Sequence, residues 1–141
     1  MNKIERAEQL RRALQLFAET LEDKVAATVP AVFDEWKVGV TLKKDKVVRY
    51  GTNANGEPRL YRVEQPHTTQ ADWTPDTTTA LYTEICYDAQ GYKIWKQPLG
   101  AHDAYAYDEI VRYPVDWKLY VSTMDANVYP PDVTGWKEYT E

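Results

Sequence analysis

The feature that most limits how this chain can fold is an approximate internal repeat. The segment VVRY at 47–50 recurs as IVRY at 110–113, and LYRV at 60–63 recurs as LYVS at 119–122. The next corresponding positions are Trp73, Pro75, Asp76 and Tyr82 in the first copy and Tyr129, Pro131, Asp132 and Trp136 in the second. So many matches in one order indicate a duplicated unit, and two copies are too few for a solenoid.

Length and aromatic content favour two very small units over one ordinary domain. The chain has 141 residues, with 11 Tyr and 5 Trp against only 2 Phe. Tyr and Trp rings carry a polar group that needs water or a partner, so they suit thin cores and contact surfaces. A chain of this length is compatible with one domain or with two small ones.

Charge and cysteine content exclude several classes of function. The net charge is -5, and the Lys and Arg residues are scattered rather than clustered, so a nucleic-acid partner is not expected. Cys86 is the single cysteine, which rules out an intrachain disulfide and a cysteine-based metal site. His67 and His102 are the only histidines, so we expect no zinc site, no other metal and no cofactor.

The sequence also gives no support for an enzyme. The carboxylate pairs Asp72 with Asp76 and Asp103 with Asp108 resemble a glycosidase pair only in spacing. Both pairs lie in short loops of units too small to build a cleft that raises the pKa of one carboxyl group. No Ser-His-Asp arrangement and no glycine-rich phosphate loop is present, so a non-catalytic role is predicted.

The first residues, MNKIERAEQLRR, contain no apolar segment typical of a secretion signal. No stretch of the chain reaches the length needed to cross a bilayer. We therefore expect a protein made in the cytoplasm without a signal peptide and without a membrane partner.

Residues 3–27 show the pattern of an amphipathic helix, with charges between apolar positions spaced by three and four. The apolar positions are Ala7, Leu10, Leu14, Phe17 and Leu21. Two alternatives follow: the helix packs on its own chain, or it forms a parallel bundle with copies of itself. The second is favoured, because the units that follow offer little apolar surface. Residues 1–32 are thus predicted to serve oligomerisation or docking, with a homo-oligomer such as a trimer as the result.

Each repeat unit is predicted to be a small antiparallel sheet. Asn55-Gly56 is a strong hairpin signal, and it joins a strand at 47–50 to a strand at 60–63. Leu81–Cys86 supplies the third strand. The predicted fold is therefore mainly β with an N-terminal α-helix, followed by two tandem small three-stranded antiparallel β modules at residues 33–88 and 89–141.

The segment from Glu64 to Thr79 contains almost no aliphatic residues, so an exposed loop pinned by prolines is expected. At this point the residues resemble the chitin-binding modules of carbohydrate-binding families 5 and 12. The matching residues are Trp36, Gly39, Asp45, Val47, Tyr50, Leu60, Tyr61, Gln65, His67, Thr68, Trp73, Pro75, Ala80 and Leu81. The resemblance is specific in the first unit, looser in the second, and covers the chain after about residue 33.

The sequence departs from the family pattern at several positions. Leu42 replaces an aromatic residue, Lys44 replaces a glycine, and Tyr82 stands where the family has Trp. The second unit lacks the Gln-x-His-Thr segment and carries Met124 and Asp125 in that loop. The second unit is accordingly the weaker candidate for sugar binding.

The resemblance implies that the Trp of the loop contacts a polysaccharide of the chitin or cell-wall type, in which N-acetylglucosamine is a common unit. An indole offers a rigid apolar face to the C–H groups of a sugar ring. The candidate carbohydrate-binding residues are Trp73, Pro75, His67, Thr68, Gln70 and, in the second unit, Tyr129. Two structural alternatives remain open: Trp73 packs under its own loop, and His67 holds loop backbone.

The order of a helix followed by such modules also resembles small proteins encoded among the tail or structural genes of phages and prophages of Gram-positive bacteria. This resemblance implies a virion component with other virion proteins as partners. The alternative reading is a phage structural or assembly protein that uses the modules for protein-protein contacts without binding sugar.

Overall fold

The computed structural model describes all residues from Met1 to Glu141. The chain is mainly β with an N-terminal helix, as predicted, but its sheets contain four, two and four strands rather than three each. The helices are α1 Lys3–Ala18 and α2 Asp23–Ala26, with a 3-10 turn at Pro30–Val32. The strands are β1 Asp34–Glu35, β2 Thr41–Leu42, β3 Val47–Thr52, β4 Pro58–Val63, β5 His67–Thr68, β6 Tyr82–Ile85, β7 Lys93–Ile94, β8 Ile110–Arg112, β9 Leu119–Ser122 and β10 Trp136–Glu138.

Helix α1 begins with a reciprocal cap. The side chain of Asn2 accepts a hydrogen bond from the backbone N–H of Glu5 at 2.8 Å, and the Glu5 carboxylate accepts from the N–H of Asn2 at 3.2 Å. These two bonds satisfy donors that the first turn of a helix otherwise leaves free. The predicted start of the helix is therefore explained by a local side-chain pair.

The prediction of one helix as far as residue 27 is wrong, because α1 ends at Ala18. The Thr20 hydroxyl donates to the carbonyl of Phe17 at 2.6 Å, which competes with continued helical bonding. Arg62 then donates to the Glu19 carbonyl at 3.1 Å and to the Asp23 carboxylate at 3.0 Å. This arginine thus fixes the bend between α1 and α2.

The first sheet has the strand order β1-β3-β4-β6, and it buries a small cluster on each face. On one face the helical segment packs against the strands: Ala18, Ala26, Ala27, Phe33, Val47, Leu60 and Ile85. On the other face the cluster is Leu42, Val48, Tyr61, Val63 and Tyr82. Val47 and Val48 face opposite sides as predicted, because side chains alternate along a strand.

The predicted hairpin is confirmed in register. Val47 pairs with Arg62 and Arg49 with Leu60, with a bulge before Thr52. Gly56 has a φ of +77°, which only glycine adopts readily, so the Asn55-Gly56 turn closes the hairpin as the sequence predicts.

The second sheet repeats the order and register of the first. Its order is β7-β8-β9-β10, in which β7 joins β8 in parallel, just as β1 joins β3. The backbone N–H of Trp36 donates to Arg49 at 2.8 Å, and that of Trp95 donates to Arg112 at 2.9 Å. Strands β1 and β7, the additional strand of each sheet, therefore consist of the residues just before a Trp. A strand of two residues carries no periodic signal that the sequence could reveal.

The turns before β3 and β8 also correspond. Asp45 and Asp108 have φ values of 70° and 72°, a left-handed conformation that Asp tolerates better than most residues. Each donates its backbone N–H at 2.8 Å to a residue on the neighbouring strand, Val63 or Ser122. The matched aspartates thus occupy equivalent turns of the two units.

One strand of a third, two-stranded sheet lies within the predicted exposed loop. Strand β5 pairs with β2, so that Thr68 lies opposite Thr41 and His67 lies opposite Leu42. The first part of the loop from Glu64 to Thr79 thus contains a short strand, and its residues 64–66 and Thr68 are exposed. The pairing draws His67 and Thr69 toward the body of the first unit.

A buried ion pair links the connector between the sheets to the second sheet. Nε of Arg112 lies 2.9 Å from the Asp88 carboxylate, and only 2% of the Asp88 side chain is exposed. Asp88 also accepts the backbone N–H groups of Gln90 and Tyr92 at 3.0 and 2.8 Å. This pair was not predicted from the sequence.

None of the helices has the length and apolar character needed to span a bilayer.

Candidate functional site

Trp73 lies in the part of the loop between β5 and β6, and 38% of it is exposed to solvent. Its backbone N–H donates to the carbonyl of Gln70 at 3.0 Å, which closes a tight turn just before the indole. Pro75 is buried, so the chain after Trp73 is anchored in the first unit. The indole is therefore held at the surface by a fixed backbone on both sides.

The threonines that follow form a local hydrogen-bonded turn. The N–H groups of Thr77 and Thr78 donate to the carbonyl of Thr74 at 3.2 and 3.1 Å. The hydroxyl oxygens of Thr74 and Thr77 are 2.7 Å apart. Threonine side chains bond nearby backbone in this way in turns, so local hydrogen bonds help to order this Thr-rich segment.

A chain of hydrogen bonds braces the base of the loop. Nε1 of Trp36 donates to the hydroxyl of Tyr82 at 3.0 Å, and that hydroxyl is 2.8 Å from Nε2 of His67. Nδ1 of His67 is 2.7 Å from the carbonyl of Gln65, and a carbonyl only accepts. In the neutral ring, Nδ1 therefore carries the proton and Nε2 accepts from Tyr82. Both nitrogens of His67 are occupied within the chain.

Burial raises the pKa of the Tyr82 phenol, with the bond from Trp36 acting in the opposite direction. Tyr82 therefore stays protonated under physiological conditions and keeps its hydrogen for His67. The rings of His67 and Tyr82 also meet edge to face, with centroids 5.1 Å apart. The Gln65 side chain extends the brace by donating to the Ala80 carbonyl at 3.2 Å.

The other candidate residues of this loop divide into buried and exposed. Thr69, which was not a candidate, is buried and holds the loop through its hydroxyl, 2.5 Å from the Lys37 carbonyl and 2.9 Å from the N–H of Val40. Thr68 and Gln70 are exposed on either side of it. The Gln70 side chain is thus open to solvent, the Thr68 hydroxyl lies 3.2 Å from that of Thr41, and His67 serves the loop itself.

Tyr129 belongs to the corresponding loop of the second sheet. Its side chain is exposed, its N–H donates to the Asn127 side chain at 3.1 Å, and its carbonyl accepts Nε1 of Trp136 at 2.7 Å. These contacts all lie within the second unit. Tyr129 is therefore an aromatic surface separate from the Trp73 loop and makes no hydrogen bond to it.

A groove of about 480 Å³ runs beside the loop, between α1 and the first sheet. Trp36 and Thr69 line it together with charged residues of both signs: Arg11, Asp34, Glu35, Lys37, Lys46 and Arg49. Trp73 does not line this groove. The candidate surface is thus a projecting ring beside a mixed polar groove.

The Cys86 thiol and the Asp72 and Asp76 carboxylates lie in different environments. Burial raises the pKa of the Cys86 thiol, and the nearby Glu84 carboxylate adds to the effect, so the reactive thiolate is disfavoured. Asp72 and Asp76 are both exposed. No group of three or more His, Cys, Asp or Glu side chains is arranged to hold a metal ion.

The internal comparison reveals one group that the sequence analysis missed. Nε1 of Trp95 is buried without a hydrogen-bond partner, although its counterpart on Trp36 is bonded to Tyr82. The position of Tyr82 is taken by Trp136 in the second unit, and an indole N–H cannot accept a hydrogen bond. The signal was present in the repeat alignment, as the exchange of a hydroxyl for an indole.

No protein-family model and no curated protein matches this chain.

Proposed function

We propose that this protein is a non-catalytic carbohydrate-binding protein that uses Trp73 as an exposed aromatic platform. The observation that carries the proposal is a partly exposed indole on a loop whose base is fixed by internal hydrogen bonds. The substrate class is a chitin-like or cell-wall glycan. Sugar rings of this type present flat C–H faces that pack on an indole.

The rigidity of the loop supports this role. A ligand that binds a mobile ring must pay for ordering it, at about 0.5–1.5 kcal/mol per side chain. The buried Pro75 and the bonds of Thr69 and His67 order the loop before any ligand arrives. In this proposal Thr68 and Gln70 donate or accept hydrogen bonds with sugar hydroxyls, and His67 braces the loop.

The proposal includes the finer reading of the fold. Strands β3, β4 and β6 and strands β8, β9 and β10 are the antiparallel cores of two tandem modules similar to carbohydrate-binding families 5 and 12. The equal strand order of the two sheets supports this reading. We assign residues 33–88 and 89–141 to the modules, with residues 1–32 as a helical segment that packs on the first module.

We further propose that the protein is a virion component of a phage or prophage, where it helps a particle adhere to a cell-surface glycan. A second function, structural assembly through protein-protein contacts without sugar binding, is favoured by one observation. Large apolar side chains of α1, including Leu10 and Phe17, are exposed. A helix face of this kind suits a role in assembly.

Retention on insoluble glycans tests the platform. The purified protein is incubated with chitin, with peptidoglycan and with whole Gram-positive cell walls, and the bound fraction is measured over a concentration series. Replacement of Trp73 by Ala should weaken retention about tenfold, since loss of one ring contact of about 1.4 kcal/mol corresponds to that factor.

Tyr107→Ala is the matched control, because Tyr107 is an exposed aromatic residue of the second unit. Its retention should equal that of the parent protein. Equal retention of Trp73→Ala and the parent would refute the platform role. Absence of binding to all three glycans, with recovery of the protein in assembled particles, would favour the structural alternative.

A further inference from the structure

Helix α1 contacts the rest of its own chain through a mostly polar face. Nε2 of Gln15 donates to the Asp34 carboxylate at 3.1 Å, and Nη2 of Arg11 donates to the Phe33 carbonyl at 3.4 Å. Gln15 and Ala18 are the two buried residues of the helix. These contacts define the side of α1 that the first unit covers.

The apolar stripe of the helix lies on a different side. At about 3.6 residues per turn, Ala7, Leu10, Leu14 and Phe17 are centred roughly a quarter turn away from Arg11, Gln15 and Ala18. Leu10, Leu14 and Phe17 are 62%, 45% and 65% exposed. The helix therefore does pack on its own chain, but it leaves unpartnered the stripe that would ordinarily be buried.

We propose that a second copy of this chain covers the stripe, with the two α1 helices antiparallel about a two-fold axis. In this arrangement Ala7 of one copy lies against Phe17 of the other, and Leu10 lies against Leu14. Every layer then pairs residues whose combined volume fills the space between the helices. The interface is self-complementary, as a two-fold dimer requires.

Steric fit favours this orientation over the parallel bundle that the apolar spacing suggests. A parallel pair would place Ala7 against Ala7 and Phe17 against Phe17, which leaves one layer underfilled and crowds another. It would also bring Arg6 of one helix toward Arg11 of the other, where like charges repel. Antiparallel helices in addition place their dipoles in opposition.

The distribution of net charge along the chain also favours antiparallel helices. Residues 1–27 contain five basic and five acidic side chains, so the net charge of -5 resides in the remainder of the chain. Parallel helices would hold two such negative bodies at the same end of the pair. Antiparallel helices displace them toward opposite ends of the pair, which weakens the repulsion between them.

The size of the contact sets the strength of the dimer. A helix of 16 residues is about 24 Å long, so the pair buries less than the roughly 1,600 Å² of a standard interface. We therefore expect an equilibrium between monomer and dimer that shifts with concentration. This inference does not depend on sugar binding.

Sedimentation equilibrium across a wide concentration range measures the mass of the full chain. The mass should rise from 16.3 kDa toward twice that value with increasing concentration. Leu14→Glu should hold the protein at the monomer mass at every concentration. Leu16→Glu is the matched control, because Leu16 is 69% exposed but lies off the stripe, and it should dimerise like the parent.

Far-ultraviolet circular dichroism shows whether each variant remains folded. A parent protein that stays monomeric at the highest concentration, or one that reaches three times the monomer mass, would overturn the proposal. So would equal behaviour of Leu14→Glu and Leu16→Glu, in either direction.

Disulfide trapping tests the orientation in a Cys86→Ser background, which removes the only native thiol. A mixture of Ala7→Cys and Phe17→Cys proteins should form a crossed disulfide dimer on mild oxidation. Ala7→Cys alone should not, because antiparallel pairing places the two cysteines about 15 Å apart along the axis. Efficient cross-linking of Ala7→Cys alone would establish parallel helices and overturn the antiparallel arrangement.

Discussion

The two four-stranded sheets share a framework and differ in what fills it. Both begin with a two-residue parallel strand and place a Trp against a Tyr, with ring centroids 5.4 Å apart for Trp36 and Tyr50 and 5.5 Å for Trp95 and Tyr113. In the first unit the Tyr82 hydroxyl and the His67 imidazole occupy the space beside Trp36. In the second unit the matching space holds the indole of Trp136, which packs on Tyr105 with centroids 5.4 Å apart.

The difference separates the residues that determine the strand pairing from those that hold the loop in place. Strand pairing and the matched left-handed aspartates are retained in both units despite different interior side chains. The contacts that hold the loop differ with the interior side chains of each unit. His67 and Tyr82 brace the Trp73 loop, whereas the second loop is held by Asn127, whose amide donates to the Ser122 hydroxyl at 3.0 Å and the Gly135 carbonyl at 2.7 Å.

The largest expected effect comes from breaking the Arg112–Asp88 ion pair of the second unit, whose counterpart in the first unit is a hydrogen bond to a backbone carbonyl. Arg49 donates to the Phe33 carbonyl at 2.7 Å, while the equivalent Arg112 donates to the buried Asp88 carboxylate. Asp88→Ala should lower the free energy of unfolding by about 3–5 kcal/mol, because Arg112 is left charged without its partner. Urea unfolding followed by Trp fluorescence measures the change.

The control for this prediction is Glu138→Ala. The Glu138 carboxylate lies 4.0 Å from Nζ of Lys118, and both side chains are largely exposed. Exposed pairs contribute about 0–1 kcal/mol, so this variant should lose little stability. A loss for Asp88→Ala no greater than for Glu138→Ala would mean that the connector is not held by the ion pair.

A smaller effect is expected from removing the hydroxyl that only the first unit possesses. Tyr82→Phe leaves Nε1 of Trp36 and Nε2 of His67 without partners, at a cost of about 1–3 kcal/mol. Hydrogen exchange should also become faster in residues 65–80, because the brace of the loop is lost. Tyr107→Phe, which removes the hydroxyl of an exposed Tyr, should change neither quantity. Unchanged exchange in Tyr82→Phe would show that the loop is ordered by other contacts.

The smallest expected effect is a difference between two equivalent substitutions. Trp36→Phe and Trp95→Phe lose similar ring area, but only the first breaks a hydrogen bond, since Nε1 of Trp95 has none. Trp36→Phe should therefore be the more destabilising by about 1 kcal/mol. Thermal unfolding of the two variants measures the difference, and equal losses would indicate that the indole N–H of Trp36 contributes nothing.

Much of the framework could be predicted because it depends on local signals. The repeat of VVRY as IVRY located β3 and β8, and Asn55-Gly56 located the hairpin. The equivalence of Tyr82 and Trp136 is confirmed by register, since they pair with Val63 and Ser122 at matching positions of β4 and β9. Alternation and turn chemistry are properties of short segments, which a sequence displays directly.

The features that could not be predicted depend on contacts between distant segments. Strands β1 and β7 are two residues long, so they exist only because a neighbouring strand offers free backbone groups. The end of α1 depends on Arg62, far away in the sequence. For the candidate site, 38% of Trp73 is exposed and both ring nitrogens of His67 are bonded within the chain, whereas contact of Trp73 with a sugar stays a prediction.

The short outer strands have a consequence for crowding. The free edges of the two large sheets are formed by β1, β6 and β10, none longer than four residues, whereas β7 is bridged to Tyr87 of the connector. The β10 edge also carries Lys137 and Glu138, both exposed. Short and charged edges offer little template for another chain to add a strand. Many copies held side by side on one surface would therefore remain individually folded and soluble rather than aggregating edge to edge.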